Sequence, residues 1–550
     1  MTALVYGCGV FKVTQYYEKG ALATGTPPAT EIGRNIFAQG GNAFDVAVAV
    51  GFVMAVVYPE AGNVGGGGFA VIREGNSGLI KALDFREVAP SAATEKIYLD
   101  SAGEVIENLS TYGARAVGVP GTVAGLYELW QKRGRLAWEE LVRAAADLAD
   151  TGFIVDAYLA GKLYENKDQL SGFPETSDIF CPRGEPLKAG ERLVLKDLAS
   201  TLYIVAAEGP AGFYEGLIAD KIDSCMKIHG GLITKEDLAA YKPVWREPLH
   251  FRFDSLDIYS MPPPSSGGIA LGQILKIVEP HDFSFLTVDS PDYIHLFCEA
   301  ARRAFADRSQ YLGDPAFYQI PSRLLDEAYL DKRRETITMG HASNSQLVGP
   351  GLPYSHESNQ TTHFSVCDRE GNMVALTYTL NTNFGSKLVV RGAGFLLNNQ
   401  MDDFALKPGY PNTYGLVGAE ANKVEPGKRM LSSMAPTLVL KNQKPFLILG
   451  SRGGSKIITT VAQVILNMTR FGLNPVEAVN QPRVHHQWLP DKITLEKNGY
   501  SMKVKQTLIR YGHNIEEEAP DGDVELIYID PLGLMNAASD PRRQGCSGGY

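Results

Sequence analysis

Residues able to do chemistry gather in the stretch Asn359–Leu380, NQTTHFSVCDREGNMVALTYTL. Two runs rich in β-branched and aromatic residues, Thr361–Cys367 and Met373–Leu380, flank the polar segment Asp368–Asn372. That pattern predicts a hairpin closed by a five-residue loop. Pairing Cys367 with Met373 puts Thr361 opposite Thr379. Side chains alternate along a strand, so one face then carries Thr361, His363 and Ser365 against Ala375, Thr377 and Thr379. The other carries Phe364 and Val366 against Val374, Leu376 and Tyr378. A hydroxyl-rich face backed by an apolar one suits two Thr-rich core strands, and it equally suits a strand pair beside a site. The chemistry of the second case is nucleophilic, because a hydroxyl attacks a carbonyl once a base stands within hydrogen-bond reach. No Ser-His-Asp arrangement or GxSxG turn supplies that base. His363 reads as a structural hydrogen-bonder rather than as the base.

Other groups have chemical potential of their own. Gly450–Ser455 (GSRGGS) precedes a helix expected over Lys456–Phe471, with Ser455 as a possible cap; N–H groups at a helix start favour developing negative charge. Arg86, within DFRE at Asp84–Glu87, ends a strand-like segment. An isolated arginine is most often a surface or ion-pair residue, yet its fork also matches a carboxylate bidentately. Asp402–Asp403 would suit a metal, but no third carboxylate or histidine sits at ligand spacing. His485–His486 are adjacent in an irregular stretch and are expected to pack or cap. The glycine run in NVGGGGFAVI lacks the GK[ST] of a phosphate cradle, so close packing beneath a site is expected.

Taken in order from about Gly20 to Tyr550, DFRE, the Asn359–Leu380 hairpin, NNQMDDF at Asn398–Phe404, LSSM at Leu431–Met434 and GSRGGS closely resemble the gamma-glutamyltranspeptidases. These are members of the N-terminal-nucleophile hydrolase superfamily. The resemblance implies an α+β fold, a four-layer αββα sandwich of two stacked sheets flanked by helices. It implies a precursor that cuts itself between Gln360 and Thr361 into a large subunit, 1–360, and a small one, 361–550, interlocked as one unit. Thr361 would be the nucleophile, with its own new α-amine, of pKa about 7.7–8.0, as base. Thr379 would orient it. Gly453 and Gly454 would form the oxyanion hole, where one donor is worth roughly 3 kcal/mol. Arg452 stands where relatives usually carry proline. Arg86, Ser432 and Ser433 match contacts to the substrate α-carboxylate, and Asn381, Gln400 and Asp403 match contacts to its ammonium. The aperiodic stretch Lys407–Lys428 matches a lid with Tyr414 as its aromatic gate, which cephalosporin acylases of the same branch often lack. The implied substrates are glutathione and other γ-glutamyl compounds, with water, amino acids or peptides as acceptors and with no cofactor and no metal. The alternatives are a cephalosporin acylase or poly-γ-glutamate depolymerase of the same fold, or an inactive scaffold that never matures.

These groups need a large framework, and 550 residues with 44% hydrophobic content supply an ample core. A net charge of −10 argues against nucleic acid or an acidic membrane surface as partner. Six scattered cysteines show neither a CxxC pair nor a disulfide framework. The longest apolar run, Ala43–Val57, contains Asp45 and is too short to span a bilayer. Family members are typically exported, which implies a periplasmic or extracellular protein; the start MTALVYGCGVF has no basic n-region, which leaves a cytoplasmic one open. Thr30 is expected to cap a helix ending at Gly40–Gly41, and Asn42 to cap the helix Ala43–Val57. Further helices are expected at Val117–Trp130, Leu136–Asp150, Lys196–Glu208, Gly212–Ile228, Ile269–Val278 and Asp292–Tyr311, with a surface loop over Gly172–Lys188. Leu249–Met261 alternates as a strand that MPPPSSGG breaks. Pro321–Gln360 ends in a weakly patterned polar stretch, the kind of segment an internal cut requires.

Overall fold

The computed structural model describes residues 15–350, 360–407 and 419–550. The predicted hairpin forms from Gln360–Asp368 and Met373–Asn381, with Cys367 paired to Met373 and His363 to Thr377. Its two faces divide as the alternation requires. Phe364, Val366, Val374, Leu376 and Tyr378 join one apolar core, while Cys367, Met373 and Ala375 join another.

This hairpin is the centre of a seven-stranded antiparallel sheet. Across it run Cys546–Gly549, Gly20–Thr24, Gln360–Asp368, Met373–Asn381, Gly67–Arg73, Ile80–Phe85 and Val244–Arg246. A second seven-stranded sheet runs Tyr16–Tyr17, Met535–Ser539, Asp523–Ile529, Lys444–Arg452, Thr437–Lys441, Leu256–Ser260 and Leu249–Phe253. The hydroxyl face of the hairpin meets this second sheet: Ser365 Oγ donates to Glu525 O at 2.8 Å, and a Cβ on Gly450 would lie 2.4 Å from the His363 ring. Helices Pro27–Ala38, Ala43–Val57, Thr122–Arg133, Trp138–Thr151 and Lys196–Glu208 cover the first sheet. Gly267–Val278, Pro291–Tyr311 and Lys456–Thr469 cover the second. The fold is the four-layer αββα sandwich. Both sheets contain strands from before and after Thr361.

Ala43–Val57 is buried along its whole length, as an all-apolar helix must be. Its start is a capping box: the Asn42 side chain accepts from Asp45 N, and the Asp45 side chain accepts from Asn42 N. The glycine run packs as expected. A Cβ on Gly66 would lie 2.1 Å from Thr379 O, and one on Gly68 2.3 Å from Thr377 O.

Several local expectations are corrected. The first helix begins at Pro27, where a proline preset for the first turn follows Thr26, and Thr30 sits inside it, bonded to Cys546 O at 2.8 Å. Gly172–Lys188 contains the short helix Pro174–Phe180, also started by a proline. Leu249–Met261 is two strands, because Asp254 takes a left-handed φ of 52° and turns the chain. Residues 117–121 precede the helix that starts at Thr122, and the helix expected from Gly212 splits into Ala211–Tyr214 and Gly216–His229 at Gly216, with φ 61°. Residues 351–359, most of the polar stretch before Thr361, lie outside the described residues.

Candidate active site

The hydroxyl face of the hairpin opens into a pocket lined by Arg86, Thr361, Thr379, Asn381, Gln400, Asp403, Ser432, Ser433, Met434, Gly454 and Ile457. Residues scattered over three hundred positions of chain thus meet in one pocket. Gly453 adjoins it through Gly454. Tyr414, the expected gate, lies outside the described residues.

Thr361 is buried near the start of its strand. The expected register fails at this one point. Thr362 pairs with Tyr378 and Gln360 with Asn381, so Thr361 faces two residues, Thr379 and Leu380. This is a β-bulge, a device that re-aims a side chain at a strand end. Its cause is local: Asn381 has φ 81°, which asparagine tolerates better than most residues, and its N–H donates to Thr379 Oγ1 at 2.8 Å. A hydroxyl that accepts in this way still carries a proton to donate. Beneath the pair, the two His363 ring nitrogens lie 2.7 Å from Thr377 Oγ1 and 3.1 Å from Ser365 Oγ. Burial pushes the His363 pKa down to about 3, so the ring is neutral at any working pH.

The other end of the pocket is charged. Arg86, fully buried, donates Nη2 to Asp403 Oδ2 at 2.5 Å and to Leu431 O at 3.1 Å, and Nε to Met430 O at 3.3 Å. Its Nη1 lies 3.6 Å from Glu87 Oε2 and makes no hydrogen bond among the described residues. Gln400 Nε2 also donates to Asp403 Oδ2, at 2.6 Å. Asp403 Oδ1 and Gln400 Oε1 are buried and accept no hydrogen bond among the described residues. One unused donor and two unused acceptors therefore belong to residues that line the pocket. Burial pushes the Glu87 carboxyl up to about 7, against the pull of the neighbouring Arg86 charge.

The Ser432–Ser433 turn is held from behind. Ser432 O accepts from Ser266 N and Ser266 Oγ, each at 2.7 Å. Arg308 reaches Ser266 Oγ at 2.8 Å and Ser433 Oγ at 3.3 Å. Asn422 donates to Asp403 O at 2.6 Å and accepts from Leu431 N at 2.9 Å, which ties the far end of the Lys407–Lys428 stretch to both recognition segments. Ser266, Arg308, Asn422 and Glu87 are site-building residues that sequence reasoning missed. The MPPPSSGG run was the available signal for Ser266; Asn422 and Arg308 gave none.

Gly453 and Gly454 have φ values of 120° and 56°, which favour glycine, and Lys456 N and Ile457 N donate back to their carbonyls at 3.0 Å to begin the helix. Ser455 is not its side-chain cap: the hydroxyl instead donates to Gln487 Oε1 at 2.7 Å. Asp402 turns away from Asp403 and accepts from Ser110 Oγ at 2.6 Å, so the two do not act as one metal pair. His485 packs against Thr459 and Gln487, at 2.8 and 2.7 Å, and His486 accepts from Trp488 N at 3.0 Å. Elsewhere His295, Glu299 and His513 bring ligand atoms within 4.8 Å of one another, but Glu299 is already held by Arg302 at 3.2 Å and Arg303 at 2.7 Å.

Two stacked sheets between helical layers, with a hydroxyl residue on a central strand facing a pocket between them, define an N-terminal-nucleophile hydrolase fold. Comparison with known proteins narrows the class. The gamma-glutamyltranspeptidase family model matches residues 29–550. The chain is 47% identical over 527 residues to the glutathione hydrolase proenzyme of Escherichia coli, covering 96% of this chain and 90% of that one. Among solved structures, a cephalosporin acylase from Bacillus halodurans superimposes with a TM-score of 0.87 at 27% identity, covering 100% of this chain and 99% of the other. A Helicobacter pylori gamma-glutamyltranspeptidase chain gives 0.58 at 42% identity, covering 59% and 93%. The chain belongs to the gamma-glutamyltranspeptidase family, and it is an enzyme. No helix among the described residues is long and apolar enough to cross a membrane.

Proposed function

We propose that this protein is a self-processing γ-glutamyl transferase and hydrolase that acts on glutathione and related γ-glutamyl compounds. The observation that carries the substrate class is the charged end of the pocket. An α-amino acid presents a carboxylate and an ammonium on one carbon, and Arg86 Nη1 on one side with Asp403 Oδ1 and Gln400 Oε1 on the other offer the complementary groups. Ser432 and Ser433 add hydroxyl donors for the carboxylate, and Asn381 an acceptor for the ammonium.

In the proposed reaction the precursor breaks between Gln360 and Thr361, leaving 1–360 and 361–550 as interlocked subunits. The Thr361 hydroxyl attacks the γ-carbonyl carbon and passes its proton to the Thr361 α-amine. Thr379 holds the hydroxyl in line, and the Gly453 and Gly454 N–H groups receive the oxyanion. The tetrahedral intermediate collapses, the leaving amine departs with the proton, and a γ-glutamyl ester remains on Thr361. Water or the amine of an amino acid or peptide then resolves it. The partners are small molecules and the two pieces of the same precursor; by family resemblance the location is the periplasm or the cell exterior, which fractionation checks.

Denaturing electrophoresis, followed by incubation with a γ-glutamyl anilide with and without glycylglycine, tests the proposal. Two fragments dividing before Thr361, and aniline release accelerated by the dipeptide, are expected. A folded single chain inert to every γ-linked glutamate would refute it. The 0.87 superposition on a cephalosporin acylase keeps a side-chain amidase as the second possibility. A glutaryl amide lacks the ammonium, so turnover of it equal to that of the γ-glutamyl amide would favour the acylase.

A further inference from the structure

Behind the oxyanion turn lies a set of buried charges that the proposed reaction does not use. Arg452, the last residue of its strand, is fully buried and immediately precedes Gly453. Asp523, 3% exposed, stands opposite it across the strand pair. Arg452 Nη1 donates to the Tyr58 hydroxyl, and the guanidinium lies 5.7 Å over the centre of that ring. Glu60, two residues further on and 1% exposed, makes no side-chain hydrogen bond among the described residues and feels the Arg452 charge. Ser451 Oγ donates to Arg452 O at 2.8 Å and accepts from Asp523 N at 3.3 Å. Glu60 O in turn accepts from Phe384 N at 2.9 Å, in the loop that follows Asn381.

Two successive glycines at positive φ have little stiffness of their own. An amide stabilises an oxyanion only while it is held in place before the charge appears. The guanidinium next to them is such a fixed point, because pulling a buried charge away from its partners is costly. We propose that Arg452 is a positioning residue: bonded to the Tyr58 hydroxyl and paired across the strands with Asp523, it fixes the turn from which the Gly453 and Gly454 amides point and locks it to the segment that also holds the Asn381 loop.

This inference rests on those glycines being the oxyanion donors, so Gly454→Ala is run in parallel. The measurements are kcat and KM on processed enzyme with a γ-glutamyl anilide, and affinities for free glutamate and for the γ-boronic acid analogue of glutamate, which forms a tetrahedral adduct on a hydroxyl. Arg452→Met is expected to lower kcat by about ten- to a hundredfold with KM unchanged. Boronate affinity should fall by the same factor while glutamate binding holds, and Arg452→Lys should recover part of the loss. Tyr58→Phe, which deletes only the hydroxyl, should move kcat and boronate affinity the same way by less, and it decides the matter where Arg452→Met does not mature. An unchanged kcat in Tyr58→Phe and Arg452→Lys, or equal losses of boronate and glutamate affinity, overturns the proposal. Normal boronate affinity in Gly454→Ala would instead refute the oxyanion assignment itself.

Discussion

At one end of the pocket a guanidinium, two carboxylates and a primary amide crowd together; at the other stand two threonines, a pair of glycines and, underneath, a neutral imidazole. The charged end can exist without substrate because Arg86 and Asp403 neutralise each other. On the proposed reading, a zwitterionic amino acid would set its carboxylate against the guanidinium and its ammonium against the carboxylate, with little net change in buried charge. The side chains at the reacting end carry no charge. In the proposed reaction the oxyanion and the protonated Thr361 amine form there together, and held amide dipoles act on the oxyanion. On that reading recognition relies on charges already buried, and chemistry on charges that form during the reaction.

Removing the reacting group should have the largest effect. Thr361→Ala is expected to leave one full-length chain on denaturing gels and no turnover; normal cleavage in that variant would move the nucleophile elsewhere. At the charged end, Arg86→Met leaves Asp403 buried with its cation gone. The expected loss is about 3–5 kcal/mol, or roughly two to four decades in kcat/KM. Adding Asp403→Asn should cost less than the two single losses combined, because the partners are in contact. Strict additivity would mean that the pair does not act together. At the neutral end, Thr379→Val takes the acceptor from Asn381 N while keeping the side-chain shape. A loss of about 1–2 kcal/mol, seen mainly in kcat, is expected; an effect confined to KM would make Thr379 a recognition residue instead.

The smallest effect should appear in stability against pH. The folded-state pKa of Glu87 is raised from 4.5 to about 7 by burial, so the folded protein holds this proton more tightly than the unfolded chain. Its contribution is complete below about 4.5, declines as pH rises to about 7, and is flat above. Glu87→Gln should flatten that part of the urea-unfolding profile relative to the parent, and an unchanged slope would show that the carboxylate keeps an ordinary pKa.

Much of the fold was legible in the chain because the relevant physics is local. Alternation set the hairpin faces, Asn42 marked the start of the helix Ala43–Val57, and the helix Lys196–Glu208 fell where its pattern put it. Local cues failed where a longer-range partner competed. The Ser455 hydroxyl preferred Gln487 to the helix start, and Thr30 reached Cys546. For the site, the recurrent motifs named the lining residues, but their supports were invisible. Asn422 sits in an aperiodic stretch and Arg308 in an ordinary helix, and neither has a neighbour in sequence that hints at its partner.

The sequence by itself determined the alternating hydroxyl face and the glycine-rich turn before a helix, while the groups expected to receive a zwitterion or an oxyanion came from the resemblance of whole motifs. The face and the turn depend on residue type and short spacing. Only the tertiary structure decided that Arg86 and Asp403 neutralise each other, that a bulge aims Thr361 between Thr379 and Leu380, and that Tyr58 and Asp523 converge on Arg452. Those are contacts between segments tens to hundreds of residues apart, and they exist only once two sheets have stacked and excluded the water between them.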